Sequence, residues 1–169
     1  MAATVVGFIM LGCVGLTGCG FHPLYGDADR PEFDERLASV AVLPIAERIG
    51  QILANSLRDS FNPTGAKVPL RYTLAVTLTT STADYAIRKD GTASRELLVV
   101  SCGFQMLETG ANNPVLSGSL RINDSYDVGG SQYSVIVANS DAQTRAAQEL
   151  SADIRTRVAL YLRRKAAKS

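Results

Sequence analysis

The sequence predicts an α+β domain in which two helices pack on a four-stranded, largely antiparallel sheet in the order β-α-β-β-β-α. Three observations predict it: a helical apolar stripe between Ala46 and Phe61, three long strand patterns between Leu70 and Val128, and a terminal stretch with apolar residues at every fourth position. Hydrophobic residues make up 46% and charged residues 20% of the 169, which is ordinary globular usage and disfavours a disordered chain, a collagen and a polytopic membrane protein. The formal net charge is +1, so the molecule is not a nucleic-acid binder by its overall charge. A domain of roughly 150 residues buries about 70% of the surface its unfolded chain exposes, so it needs no disulfide framework or structural metal. With one histidine, and cysteines only at positions 13, 19 and 102, the chain also lacks the ligands for a zinc site, and no cofactor is implied.

Residues 1–18 read as a lipoprotein signal peptide. Val5 to Leu16 (VVGFIMLGCVGL) carries no charge and is too short to span a hydrocarbon core, which takes about 20 apolar residues. It fits the apolar core of a secretion signal, and five glycines between Gly7 and Gly20 argue against a buried helix. Leu16-Thr17-Gly18-Cys19 resembles the bacterial lipobox, in which the cysteine thiol is acylated and the chain is cut before it. Cys19 is then the lipidation site and membrane anchor, since several acyl chains hold a protein at a bilayer permanently in practice. Gly20, rather than Asp, follows it, the pattern expected of outer-membrane sorting. Met1 to Thr4 holds no Lys or Arg, which is consistent with a true start upstream of Met1.

Residues 19–35 read as the lipidated tether, with Phe21-His22-Pro23-Leu24-Tyr25-Gly26 leading into an acidic stretch that ends at Glu35; residues 36–169 form the single domain. Ser39 to Leu43 is a short β-branched run closed by Pro44, hence a strand. From Ala46, the residues Ile49, Ile52, Leu53, Leu57 and Phe61 recur at helical spacing, and Asn62-Pro63-Thr64-Gly65 ends the helix. Leu70, Tyr72, Leu74, Val76 and Leu78 alternate with polar residues along a strand with one buried face, and Lys89-Asp90-Gly91 supplies a turn. The next strand, from about Ser94 to Leu107, puts Leu98, Val100, Cys102, Phe104 and Met106 on one face and Leu97, Val99 and Leu107 on the other. After Gly110 to Pro114, a third run sets Leu116, Leu120, Ile122, Tyr126 and Val128 against Ser117, Ser119, Arg121, Asn123 and Asp127. Three such strands joined by hairpins make a meander. Ala142, Ala146, Leu150, Ile154, Val158 and Leu162 predict a helix over 141–164, with Ser140 as its N-cap.

No catalytic constellation is present. His22, the sole histidine, sits in the tether, where a general base could not be held in geometry. Phosphate-cradling glycine motifs are absent from the domain, and Asp124 and Asp127 read as solvent-facing strand charges. Cys102 lies in an apolar run and reads as an inert buried thiol. The cations that end the chain, from Arg155 to Lys168, suit a helix C-terminus, where the macrodipole favours them, and an anionic partner surface is the functional alternative.

The tract from Leu16 to Gly26 (LTGCGFHPLYG), the strand-helix-three-strand-helix order and the stretch Tyr133 to Ala142 together resemble the LPS-assembly lipoprotein family, LptE, in its shorter form. The resemblance implies a binding protein rather than an enzyme. Its partners would be the LptD-type outer-membrane β-barrel, which such proteins plug, and lipopolysaccharide, which they help deliver to the outer leaflet of a Gram-negative outer membrane. A periplasmic lipoprotein accessory to an ABC-type lipid transporter is the alternative, and a lipid-anchored enzyme a third reading. The phosphates of lipopolysaccharide invite arginine and lysine, and the candidates are Arg88 and Lys89 at the first hairpin tip with Arg95 and Arg121 on the strands.

Overall fold

The structure is a computed structural model that describes residues 30–87, 93–129 and 131–168. The signal segment, Cys19, the tether up to residue 29, the turn at Lys89-Asp90-Gly91 and the side chains of Arg88 and Lys89 lie outside the described residues. Pro31 to Ser169 forms one compact unit. Its elements are α1 (Arg30–Ala38), β1 (Val40–Val42), α2 (Glu47–Phe61), β2 (Tyr72–Ile87), β3 (Ala93–Glu108), β4 (Pro114–Asp127) and α3 (Gln132–Ala166). The expected α+β order is present, with one further helix in front of it.

The sheet runs β1-β2-β3-β4. β1 pairs parallel with the first three residues of β2, Val40 opposite Tyr72 and Val42 opposite Leu74. The remaining pairs are antiparallel, as the hairpin connections require. Register carries the alternation across the sheet: Val76, Phe104 and Gly118 lie side by side on the helix-covered face, and Thr77, Gly103 and Ser119 on the other.

α2 starts beyond a tight reversal in which Glu47 takes a φ of 65° and Ile45 tucks beneath the first turn. Gly50 makes room for it, since a Cβ there would lie 2.7 Å from Ile45 Cγ2. The helix stops at Asn62, whose side chain closes the following turn by accepting from Ala66 N at 2.9 Å, while Gly65 supplies a φ of 64°. α2 and α3 run in the same direction, with Arg48 donating to Ser140 Oγ near one end of the pair and Arg155 donating to the Ser60 carbonyl near the other. Ala142, Ala146, Leu150, Ile154, Val158 and Leu162 of α3 are buried, so the predicted stripe of fours is the core face. They meet Leu53 and Leu57 of α2 and the inner faces of β2 to β4 in one core cluster.

Two boundaries differ from expectation. The expected tether, residues 19–35, overlaps α1, whose Phe33 and Leu37 stand one turn apart and join the core despite the charged residues around them. The Arg163 guanidinium covers the Phe33 ring at 4.8 Å. The last helix begins at Gln132 with Ser131 as its N-cap, nine residues before the expected start at Asp141; Ser131 Oγ accepts from Ser134 N, and Ser140 lies inside the helix. β-branched Val135, Ile136 and Val137 weaken the local helical signal, and their burial is incomplete because they lie beyond the core stripe.

Candidate functional site

Among the described residues, helices cover one face of the sheet and leave the other bare. Along that bare face stand Thr73, Thr77, Thr79 and Ser81 of β2, Ser101 and Gln105 of β3, and Ser117, Ser119, Asn123 and Ser125 of β4. The alternation that buries every second residue leaves mostly hydroxyl and amide side chains on this face, with Leu97, Val99 and Leu107 of β3 among them. Gly103 interrupts this surface. Having no side chain, it floors a shallow trough of about 490 Å³ walled by Thr77, Gln105, Ser117 and Ser119, which continues past Thr79 and Ser101 toward Arg121. Thr77 Oγ1 donates to the Gly103 carbonyl at 3.3 Å, holding the wall against the floor.

Both described arginine candidates are on this bare face, but they are not adjacent. Arg95 is bound at its end of the sheet, to Asp127 Oδ1 at 3.2 Å and Ser125 Oγ at 3.1 Å. Arg121 stands opposite Ser101, six residues along β3 from Arg95 and so about 20 Å away, at the edge of the trough. Arg88 and Lys89, the other two candidates, lie outside the described residues. The structure therefore brings Arg95 and Arg121 to one surface without making them one cluster.

A second polar group lies under α3, and pattern reading missed it. Tyr126 Oη donates to the Glu96 carboxylate and accepts from Asn139 Nδ2 at 2.7 Å, while Gln143 Nε2 donates to Asn139 Oδ1 at 2.7 Å. Burial and then the Glu96 carboxylate push the Tyr126 phenol above its ordinary value. Arg145 adds a salt bridge to Asp124 at 2.9 Å, so β4 and α3 are tied twice. One signal could have revealed the network: Glu96 has the same parity as Leu98 and Val100, which puts a carboxylate on the inward face, where it needs a partner. Nearby, Tyr133 and Ile136 are 77% and 61% exposed, an apolar surface on the part of α3 that outruns the core.

At the opposite end, Lys165 bonds both oxygens of Glu108 at 2.8 and 2.9 Å and lies 5.3 Å from the Tyr72 ring centre. The hydrogen bond to Glu108 raises its ammonium pKa above the ordinary value, with Tyr72 assisting. Burial raises the Cys102 thiol to about 11, so at neutral pH it is protonated and inert, as its apolar surroundings predict. Among the described residues no cluster of His, Cys, Asp and Glu could hold a metal ion, and no helix is long and apolar enough to cross a membrane.

Comparison with known proteins gives this geometry a family. The sequence profile of the LptE lipopolysaccharide-assembly family matches residues 37–158, from the end of α1 to deep in α3. The chain belongs to that family. LptE proteins are lipopolysaccharide-assembly lipoproteins associated with the outer membrane, which places this domain in lipopolysaccharide transport. Among solved structures, a Caulobacter crescentus CB15 protein assigned as a lipoprotein is similar at 28% identity and a TM-score of 0.62, covering 79% of this chain and 97% of that one. The minor lipoprotein of Acinetobacter baumannii shares the fold at 14% identity and a TM-score of 0.54, over 73% of this chain and 92% of its own. Lipoprotein B of Nitrosomonas europaea does so at 15% and 0.52, over 74% and 86%. None of the curated proteins compared matches the chain.

Proposed function

We propose that this LptE-family protein is anchored through a lipidated Cys19 to the periplasmic side of a Gram-negative outer membrane. There it plugs the lumen of an LptD-type β-barrel and assists the assembly of lipopolysaccharide, acting as a binding protein and not as an enzyme. The bare sheet face carries this reading. A barrel lumen of this kind is polar, and a sheet face with many threonine, serine and asparagine side chains outward offers that wall hydrogen bonds. Arg88, Lys89, Arg95 and Arg121 are the proposed contacts for lipopolysaccharide phosphates, through charge-assisted hydrogen bonds.

The test is to purify the full-length lipoprotein from solubilised membranes and identify what accompanies it. A stable complex with an outer-membrane barrel supports the proposal; inner-membrane permease components in its place would assign the protein to an ABC-type lipid transporter. The anchor is tested separately by palmitate labelling, in which Cys19→Ser abolishes the label and leaves uncleaved precursor. Undiminished label in that variant removes Cys19 as the lipidation site.

A further inference from the structure

β2 has two sides, and along most of its length the described residues pair with only one. Tyr72 N donates to Ser39 O and Leu74 O accepts from Leu43 N, so the even-numbered residues of β2 turn their backbone groups toward β1 and away from β3. Pairing with β1 ends at Leu74. Strand periodicity then aims the N–H and C=O groups of Val76, Leu78, Thr80, Thr82 and Asp84 outward, and no hydrogen bond of the described residues meets them.

The devices that ordinarily guard such an edge are missing here. From Val76 to Ala83 the sequence VTLTTSTA has no charge, proline or glycine. Guarding starts only with Asp84 and the register shift between Asp84 and Ala86. The other sheet edge, β4, carries Arg121, Asp124 and Asp127. Val76 and Leu78 are half-buried and pack against the core, which thins out at this edge.

We propose that the edge of β2 from Val76 to Asp84 docks an extended segment of a partner protein, which joins the sheet as an added strand. The occupant is dictated by the edge: only extended backbone matches its row of donors and acceptors. Its chemistry follows from the two faces. Apolar residues at alternate positions extend the core face beside Val76 and Leu78, and polar residues between them extend the face of Thr77, Thr79 and Ser81. The segment is uncharged at its centre, opposite Thr80. A second copy paired antiparallel about Thr80 would bring its Ala86 opposite Leu74 and run into β1 at both ends, which closes that centred register to a dimer. The inference holds whichever protein supplies the strand.

The experiment places a photoreactive residue at Thr80 and, separately, at Thr82, both exposed, in the full-length lipoprotein in its native membranes. Both positions should crosslink to one neutral, alternating segment of another protein. Amide exchange at Leu78 and Thr80 should be at least about tenfold slower in the complex than in the purified lipoprotein. Thr80→Pro removes an outward N–H that no described residue bonds and should abolish the crosslink at Thr82 without unfolding the domain. If that variant does unfold, Thr82→Lys puts a charge on the edge and should abolish the crosslink at Thr80. Crosslinks confined to residues 19–29 of the same chain, or to a second copy distinguished by isotope mixing, would overturn the proposal. So would unchanged crosslinking in a folded variant, or equal exchange in the free and complexed protein.

Discussion

Replacing Tyr126 with Phe removes one oxygen from the centre of the network that joins β4 to α3. The ring still fits, so packing is kept and the loss is polar. Glu96 then has a half-buried carboxylate without its donor, and Asn139 an amide without its acceptor. Orphaning such groups costs about 1–3 kcal/mol. For a domain of this size that lowers Tm by roughly 4–12 °C, which calorimetry of the mature lipoprotein reads directly. Asn139→Ala acts on the same network, so the double variant should lose less than the sum of the single losses by at least about 0.5 kcal/mol. The pH dependence has a definite sign. Tyr126 is raised above its ordinary 10.0 in the folded state, so its contribution is complete below pH 10 and is lost as pH rises through the folded value. The gap between the parent and Tyr126→Phe should therefore narrow above pH 10. A Tm change below about 1 °C, or additive losses in the double variant, would refute the network as a structural tie.

Gly50→Ala would ordinarily stabilise a helix by up to about 1 kcal/mol, but here the new methyl meets Ile45 Cγ2 at 2.7 Å and the Ile45 backbone at 3.1 Å. Overpacking of about 1–3 kcal/mol wins, so Tm should fall by a few degrees in a thermal melt, and a rise contradicts the close approach. The Cys102 thiol, protonated to about pH 11 and buried, should resist a thiol reagent at pH 8 in the folded lipoprotein and react fully in urea, as followed by absorbance. Changing Arg88 and Lys89 together to Glu should weaken lipopolysaccharide binding, most at low salt, with Tm held within a few degrees; equal binding across the salt range removes both residues from the proposed site.

Much of the fold was legible because its information is local. Period two marked β2 to β4, a spacing of three and four marked α2, and the stripe of fours from Ala142 to Leu162 marked the core face of α3; in each case the residue at one position names the face of its neighbours. The signals that failed were local as well. Around Phe33 and Leu37 the charges of α1 outweigh two apolar residues, and only contact with the core and Arg163 makes that helix pay. Asn139-Ser140-Asp141 has the chemistry of a helix start, yet Asn139 is occupied by Tyr126 and Gln143, and the true cap is Ser131. As for the candidate site, alternation already implied a polar second face. The trough at Gly103, the distance between Arg95 and Arg121, the parallel pairing of β1 and the open edge of β2 were decided by the tertiary structure alone. Each depends on which segments lie side by side after the chain closes loops of tens of residues, and periodicity within one element carries no record of its neighbour.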